Sequence, residues 1–310
     1  MRNTFIKELE KQAETNEDIV VLVGDLGFSV FDNFRKKFPD RFFNMGIAEQ
    51  NMMSVAAGLA LNGKKVFVYS IIPFVTARCI EQIKNDICYP NLNVVIVGVG
   101  SGVSYGSAGF SHHAIEDIAL MKSLSNMTVL TPSDPYEVRK LVSECCKYVT
   151  PTYLRLGKNN ETTFNDENQE IIIGKSHYIK EGKDIAIIIN GNIIEEAMIA
   201  RKLLESEQIN PAIISVPTLK PLDKLFFNDI FKKYKFIFII EEHNKTGGLG
   251  DSLFALNKEN KYENSIEHIA INDSFIKTVG DNKYIRKSLG LDANSIFNKI
   301  KKKFEEHDEN

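Results

Sequence analysis

Short runs of nearly continuous apolar residues alternate along the chain with stretches whose apolar positions recur every three or four residues. The runs lie at residues 19–25 (IVVLVGD), 41–46, 65–70, 91–99 (NLNVVIVGV), 127–133 and 151–157. Their Val, Ile and Leu content predicts strands buried on both faces, as in a parallel sheet. Helical patterns fill the gaps, among them residues 48–63 (AEQNMMSVAAGLALNG), with Gly63 as the expected stop. Residues 159–170 (NNETTFNDENQE) are polar and predict a linker. After it the alternation resumes with apolar runs at 183–192, 210–218, 235–243 and 266–273, separated by helical patterns, and the chain ends in a charged helix. The pattern therefore predicts two layered α/β domains: residues 1–158 around a mainly parallel sheet, and a smaller one over 171–310. No internal repeat is visible.

Composition narrows the class. Of the 310 residues, 43% are hydrophobic and 25% charged, as expected of a soluble globular protein. The net charge of -3 and the lack of a basic cluster point away from nucleic acid. Cys79, Cys88, Cys145 and Cys146 form neither a CxxC pair nor a zinc spacing, which suits a reducing cytoplasmic setting. The charged N-terminal stretch has no signal-peptide core, and no run reaches transmembrane length.

The candidate chemistry begins at residues 42–52, FFNMGIAEQNM, where a strand-like run meets a helix start and places Glu49 in the first helical turn. A carboxylate there can simply complement the helix dipole, worth about 0.3–1 kcal/mol. Its surroundings suggest more. Residues 34–70 resemble the pyrimidine-binding domain of transketolases and 1-deoxyxylulose-5-phosphate synthases, which use thiamine diphosphate. In that family the carboxylate of the GIAEQ motif hydrogen-bonds N1′ of the aminopyrimidine. A proton shared there favours the imino tautomer that activates the cofactor, a task suited to a charge-assisted hydrogen bond in a dry pocket. The resemblance implies this role for Glu49.

Further segments extend it. Residues 106–141 (GSAGFSHHAIEDIALMK…) are similar to the family's Thr-His-Gln segment after a glycine-rich loop, with Ser111, His112 and His113 at those positions. The resemblance implies that His112 binds or protonates the oxygen of the donor's carbonyl, with His113 as a second substrate group. VGDLGFS (23–29) resembles the family's ADLTPS, which implies Asp25 facing the cofactor and Ser29 at a substrate phosphate; an ordinary strand-end turn is the alternative. Residues 69–86 resemble the segment that supplies an aromatic to stack on the pyrimidine: Phe74 first, Tyr69 next, either of which could be plain core. Arg155 in PTYLRLG matches the family's phosphate-binding arginine, with a structural arginine as the alternative. IIEEHNKTGGLGD (239–251) resembles the C-terminal domain and reads as a structural turn, so His243 is not assigned a role.

The resemblance covers two of the three domains of a full-length transketolase. The missing one carries a Gly-Asp-Gly and a downstream Asn that hold magnesium and the diphosphate; VGDLG and VGDNK both lack the second glycine. This implies a split enzyme, in which a separate N-terminal subunit holds the diphosphate and Mg2+, with homodimer contacts or a heterotetramer. Ala108 stands where transketolases have an aspartate that reads sugar hydroxyls, and Gly100 where they have a phosphate-binding histidine, which implies a non-standard sugar. The expected activity is transfer of a two-carbon ketol unit from a ketose to an aldehyde. The alternatives are the beta subunit of a 2-oxoacid dehydrogenase, a deoxyxylulose-phosphate synthase-like enzyme, or a non-catalytic regulatory paralogue.

Overall fold

The structure, a computed structural model, describes residues 1–310 apart from Phe28, Asn159, Asn160, Glu309 and Asn310, and leaves aside the side chains of His307 and Asp308. The expected linker thus begins with two residues outside the described ones.

Among the described residues, twelve strands form two sheets. In chain order they are β1 (Ile19–Val23), β2 (Phe42–Asn44), β3 (Lys65–Ile71), β4 (Val94–Val99), β5 (Thr128–Leu130), β6 (Thr152–Leu156), β7 (His177–Lys180), β8 (Ile185–Ile189), β9 (Pro211–Ser215), β10 (Thr218–Lys220), β11 (Phe236–Asn244) and β12 (Ser265–Ile271). The first sheet runs β10-β5-β6-β4-β3-β1-β2 and the second β12-β11-β8-β9-β7. All pairs are parallel except β10 with β5 and β7 with β9. The chain is therefore two mainly parallel α/β units, as the apolar runs imply.

Every residue of β1, β3, β4 and β6 is buried. Alternate residues of β1 serve different layers. Val20 and Leu22 pack with Met52, Met53 and Ala56 of the helix Glu49–Leu61. Ile19, Val21 and Val23 pack with Phe5 and Leu9 of the N-terminal helix Arg2–Thr15. This two-sided burial is why the strand shows no polar alternation.

The two units interlock. β10 is cut from the C-terminal half of the sequence yet extends the first sheet beside β5. One apolar cluster joins Leu22, Val68 and Ile118 of the first unit to Ile188, Ile214 and Phe227 of the second. The residues at 239–251 behave as a structural turn. Glu241, fully buried, accepts hydrogen bonds from the Leu249 and Gly250 amides (2.9 Å each) at the start of the helix Leu249–Glu259, and from His268 Nε2 at 2.8 Å. Among the described residues no helix is long and apolar enough to cross a membrane.

Candidate active site

Parallel pairing brings the C-terminal ends of β1, β3, β4 and β6 to one edge, where open α/β sheets bind ligands. The segments that leave this edge carry most of the candidate residues.

Glu49 is the first residue of the helix Glu49–Leu61 and is only 2% exposed. Its side chain lies against the end of β1. A Cβ on Gly24 would come within 3.2 Å of Glu49 Cγ, so glycine there lets the carboxylate seat close to the backbone. Its carboxylate accepts a hydrogen bond from Arg78 Nη1 at 2.6 Å, and the Arg78 guanidinium lies 4.3 Å from the centre of the Phe74 ring. Both leave β3: Phe74 in the turn Ile72–Val75 and Arg78 in the 3-10 turn Ala77–Cys79. A π-helical turn follows at Ile83–Cys88, a departure from α geometry that often accompanies functional sites.

The segment after β4 supplies His112 at the end of the 3-10 turn Phe110–His112. Its ring meets Phe74 edge-on at 5.3 Å and Tyr105 at 6.1 Å. Ser111 Oγ lies 3.0 Å from Nδ1. Glu49, Arg78, Phe74 and His112 thus form one continuous chain of contacts along the sheet edge. Asp25, exposed beside it, exchanges hydrogen bonds with Asn44: the Asp25 amide donates to Oδ1 and Nδ2 donates to Asp25 Oδ1, each at 3.0 Å. Ser29 is exposed on the same loop.

Three expected site residues lie elsewhere. Tyr69 is a core residue, 2% exposed, between Phe5 (6.1 Å, stacked) and Phe31 (5.0 Å, edge-on). It sits inside β3, and its side chain points into the N-terminal helix layer rather than off the strand end. His113 is 4% exposed, burial pushes its pKa down, and among the described residues neither ring nitrogen has a hydrogen-bond partner. It is an interior histidine, largely withdrawn from solvent, on the wall of a cleft with Pro73 and Thr76. Arg155 is 2% exposed and bonds Asp117 and the carbonyls of Ala114 and Glu242. It locks the two units together and does not reach the site.

Sequence reasoning missed two cations. Lys158, just past the end of β6, is half-buried, with its ammonium 4.7 Å from the centre of the Tyr105 ring and on the wall of a polar cleft with Ser104 and Asn192. Its place beyond the last paired residue of β6, where Arg155 is inside the strand, is the signal that was available. Arg78 carries no motif, and only the fold brings it to Glu49. Gly100 has a φ of +97°, and a Cβ there would run into the Tyr105 ring, which fills the space a side chain would need. Among the described residues no group of three or more His, Cys, Asp or Glu is placed to hold a metal ion.

Comparison with known proteins agrees with this layout. Residues 1–162 match the family described as "Transketolase, pyrimidine binding domain", and residues 174–296 match "Transketolase, C-terminal domain". A protein of Methanocaldococcus jannaschii, provisionally named a transketolase C-terminal section, is 36% identical over 97% of this chain and 95% of its own length. A subunit of the apulose-4-phosphate transketolase of Actinobacillus succinogenes is 33% identical over 96% of each chain. A solved structure described as "Split gene transketolase, inactive beta4 tetramer" superposes with a TM-score of 0.89 at 35% identity, covering 97% of both chains. The chain belongs to the transketolase family and corresponds to the C-terminal section of a split transketolase, the pyrimidine-binding domain followed by the C-terminal domain.

Proposed function

We propose that this chain supplies the pyrimidine half of a thiamine-diphosphate site, and that an N-terminal subunit supplies the residues for the diphosphate and Mg2+. The observation that carries this reading is Glu49: a carboxylate 2% exposed, at a helix start on the ligand edge of the sheet, in contact through Arg78 with the face of Phe74. These residues fit an aminopyrimidine. Glu49 can exchange a proton at N1′ from a buried position, and Phe74 offers a ring face for stacking. When bound, the cofactor supplies a nucleophilic carbon for attack on a ketose carbonyl.

The remaining roles fall to this chain's own groups. His112, whose Nδ1 faces Ser111 Oγ, presents Nε2 to the substrate carbonyl oxygen and moves a proton there. Asp25, fixed by Asn44, borders the cofactor, and Ser29 lies where a substrate phosphate could be met. Lys158 replaces Arg155 as the cation for an anionic end of the sugar. The relative named for apulose 4-phosphate supports a phosphorylated ketose, and Ala108, exposed in the loop before His112, and Gly100 support a non-standard one. The similar structure titled as an inactive tetramer of beta chains supports dependence on an unlike partner. The active assembly would pair two such chains with two N-terminal subunits in the cytoplasm.

The test is reconstitution. Ketol transfer from phosphorylated ketoses, apulose 4-phosphate included, is measured with this chain, with the N-terminal subunit and with both. Turnover only in the mixture is expected. Turnover by this chain alone contradicts the split, and none in a mixture that forms a stable complex contradicts the activity.

A further inference from the structure

Arg78 sits where the preceding reading, on which this inference rests, seats the aminopyrimidine. The guanidinium donates to the Glu49 carboxylate at 2.6 Å and lies on Phe74 at 4.3 Å from the ring centre. Those are the two contacts an aminopyrimidine would make, an N–H to the carboxylate and a ring face to the aromatic. A guanidinium is planar, delocalised and rich in N–H donors, and it stacks on aromatic faces. It can therefore imitate an aminopyrimidine in shape, charge and hydrogen bonding.

The backbone around it is held by hydrogen bonds while the side chain reaches in from a partly exposed position. The Arg78 carbonyl accepts from Gln50 Nε2 at 3.1 Å, and Cys79 Sγ donates to the Phe74 carbonyl at 3.2 Å. The Arg78 side chain itself is 44% exposed, whereas Glu49 is 2% exposed. A carboxylate so buried needs a partner, since an unpaired buried charge is costly. A long side chain rooted at the rim can provide that partner and still withdraw into solvent.

We propose that Arg78 is a built-in stand-in for the aminopyrimidine: it pairs with Glu49 and covers Phe74 until the cofactor enters, and it must swing out for the cofactor to bind. The pairing stabilises the empty site only, so it competes with the cofactor and sets its affinity. By linkage, whatever stability Arg78 gives the empty site is subtracted from cofactor binding.

Two measurements test this. First, thiamine diphosphate with Mg2+ is titrated calorimetrically into the complex of this chain with its N-terminal subunit. Arg78→Ala should bind on the order of ten-fold more tightly than wild type, the size expected for losing one charge-assisted hydrogen bond from the competing state. Arg78→Lys, which keeps the charge but not the planar stack, should fall between. Second, the chain alone is titrated with 4-amino-5-hydroxymethyl-2-methylpyrimidine and followed by NMR. Arg78→Ala should bind this fragment at lower concentration than wild type, and Glu49→Gln in the Arg78→Ala background should abolish the gain. The chain alone should also melt at lower temperature when Arg78 is replaced by Ala. If a folded Arg78→Ala complex binds the cofactor equally or more weakly, while wild-type binding depends on Glu49, Arg78 does not occupy the seat and only this inference is overturned. If the wild-type complex binds no thiamine diphosphate, the underlying reading is overturned with it.

Discussion

Replacing Arg155 with methionine removes the guanidinium and keeps much of the side-chain volume. Arg155 Nε donates to Asp117 Oδ2 at 2.8 Å, and Nη2 donates to the Ala114 carbonyl at 2.7 Å and to Asp117 Oδ1 and the Glu242 carbonyl at 3.2 Å. Asp117 is 2% exposed and would keep only the Tyr153 hydroxyl, 2.6 Å away, from this set. The variant strands a buried carboxylate and leaves two carbonyls short of a donor. Removing one member of a buried ion pair costs about 3–5 kcal/mol. Because Ala114 and Glu242 lie on either side of the unit boundary, the loss should also loosen the two halves. The assay is urea unfolding followed by far-ultraviolet circular dichroism and tyrosine fluorescence, since the chain has no tryptophan. Arg155→Met should lose about 4 kcal/mol. Adding Asp117→Asn removes the stranded charge, so the double variant should lose less than the sum of the singles. The family match points instead to a substrate phosphate, which would raise KM at unchanged stability. A stability within about 1 kcal/mol of wild type, together with a raised KM for phosphorylated donors, would refute the structural assignment.

Two other perturbations have defined outcomes. Burial alone would raise the pKa of Glu241, but the His268 hydrogen bond, the His243 and His268 charges and the Gly250 amide bring it down to about 2. A depressed carboxylate pKa stabilises the fold above the unfolded value near 4.5 and loses that effect as pH falls toward 2, so Glu241→Gln should destabilise the fold at pH 7. That difference from wild type should shrink across the window below pH 4.5, measured by chemical unfolding at each pH. Lys158→Met should raise KM for a phosphorylated ketose on the order of ten-fold or more, leave an uncharged donor nearly unaffected, and change the melting temperature little, because the ammonium is half-buried beside Tyr105 and the loss is of one charge-assisted contact.

Much of this architecture was legible because strands buried on both faces have no choice of composition. The apolar runs that became β1, β3, β4, β6, β8 and β11 needed no partner information. β7 and β10 were not, since HYIK and TLK are short, polar and antiparallel at sheet edges, where only one side is paired. Glu49, Phe74 and His112 are candidates through motif alone, and the fold places them in one contact chain. Tyr69 and Phe74 could not be separated by type, because both are aromatic and five residues apart. Strand position separates them: Tyr69 is inside β3 and faces a helix, whereas Phe74 lies beyond its end. The same rule separates Arg155, inside β6, from Lys158, beyond its end. The Arg78–Glu49 pair was invisible because it depends on how the segment after β3 folds back over the start of the helix Glu49–Leu61.

On the proposed reading, Glu49 holds and relays the proton of a bound aminopyrimidine. Its most direct test is Glu49→Gln in the complex with the N-terminal subunit, with turnover and cofactor affinity measured on the same preparation. The swap is nearly isosteric and an amide cannot carry the proton, so turnover should fall on the order of 100-fold or more while the complex still forms and unfolds cooperatively. Turnover within a few-fold of wild type would mean that Glu49 does not carry the proton.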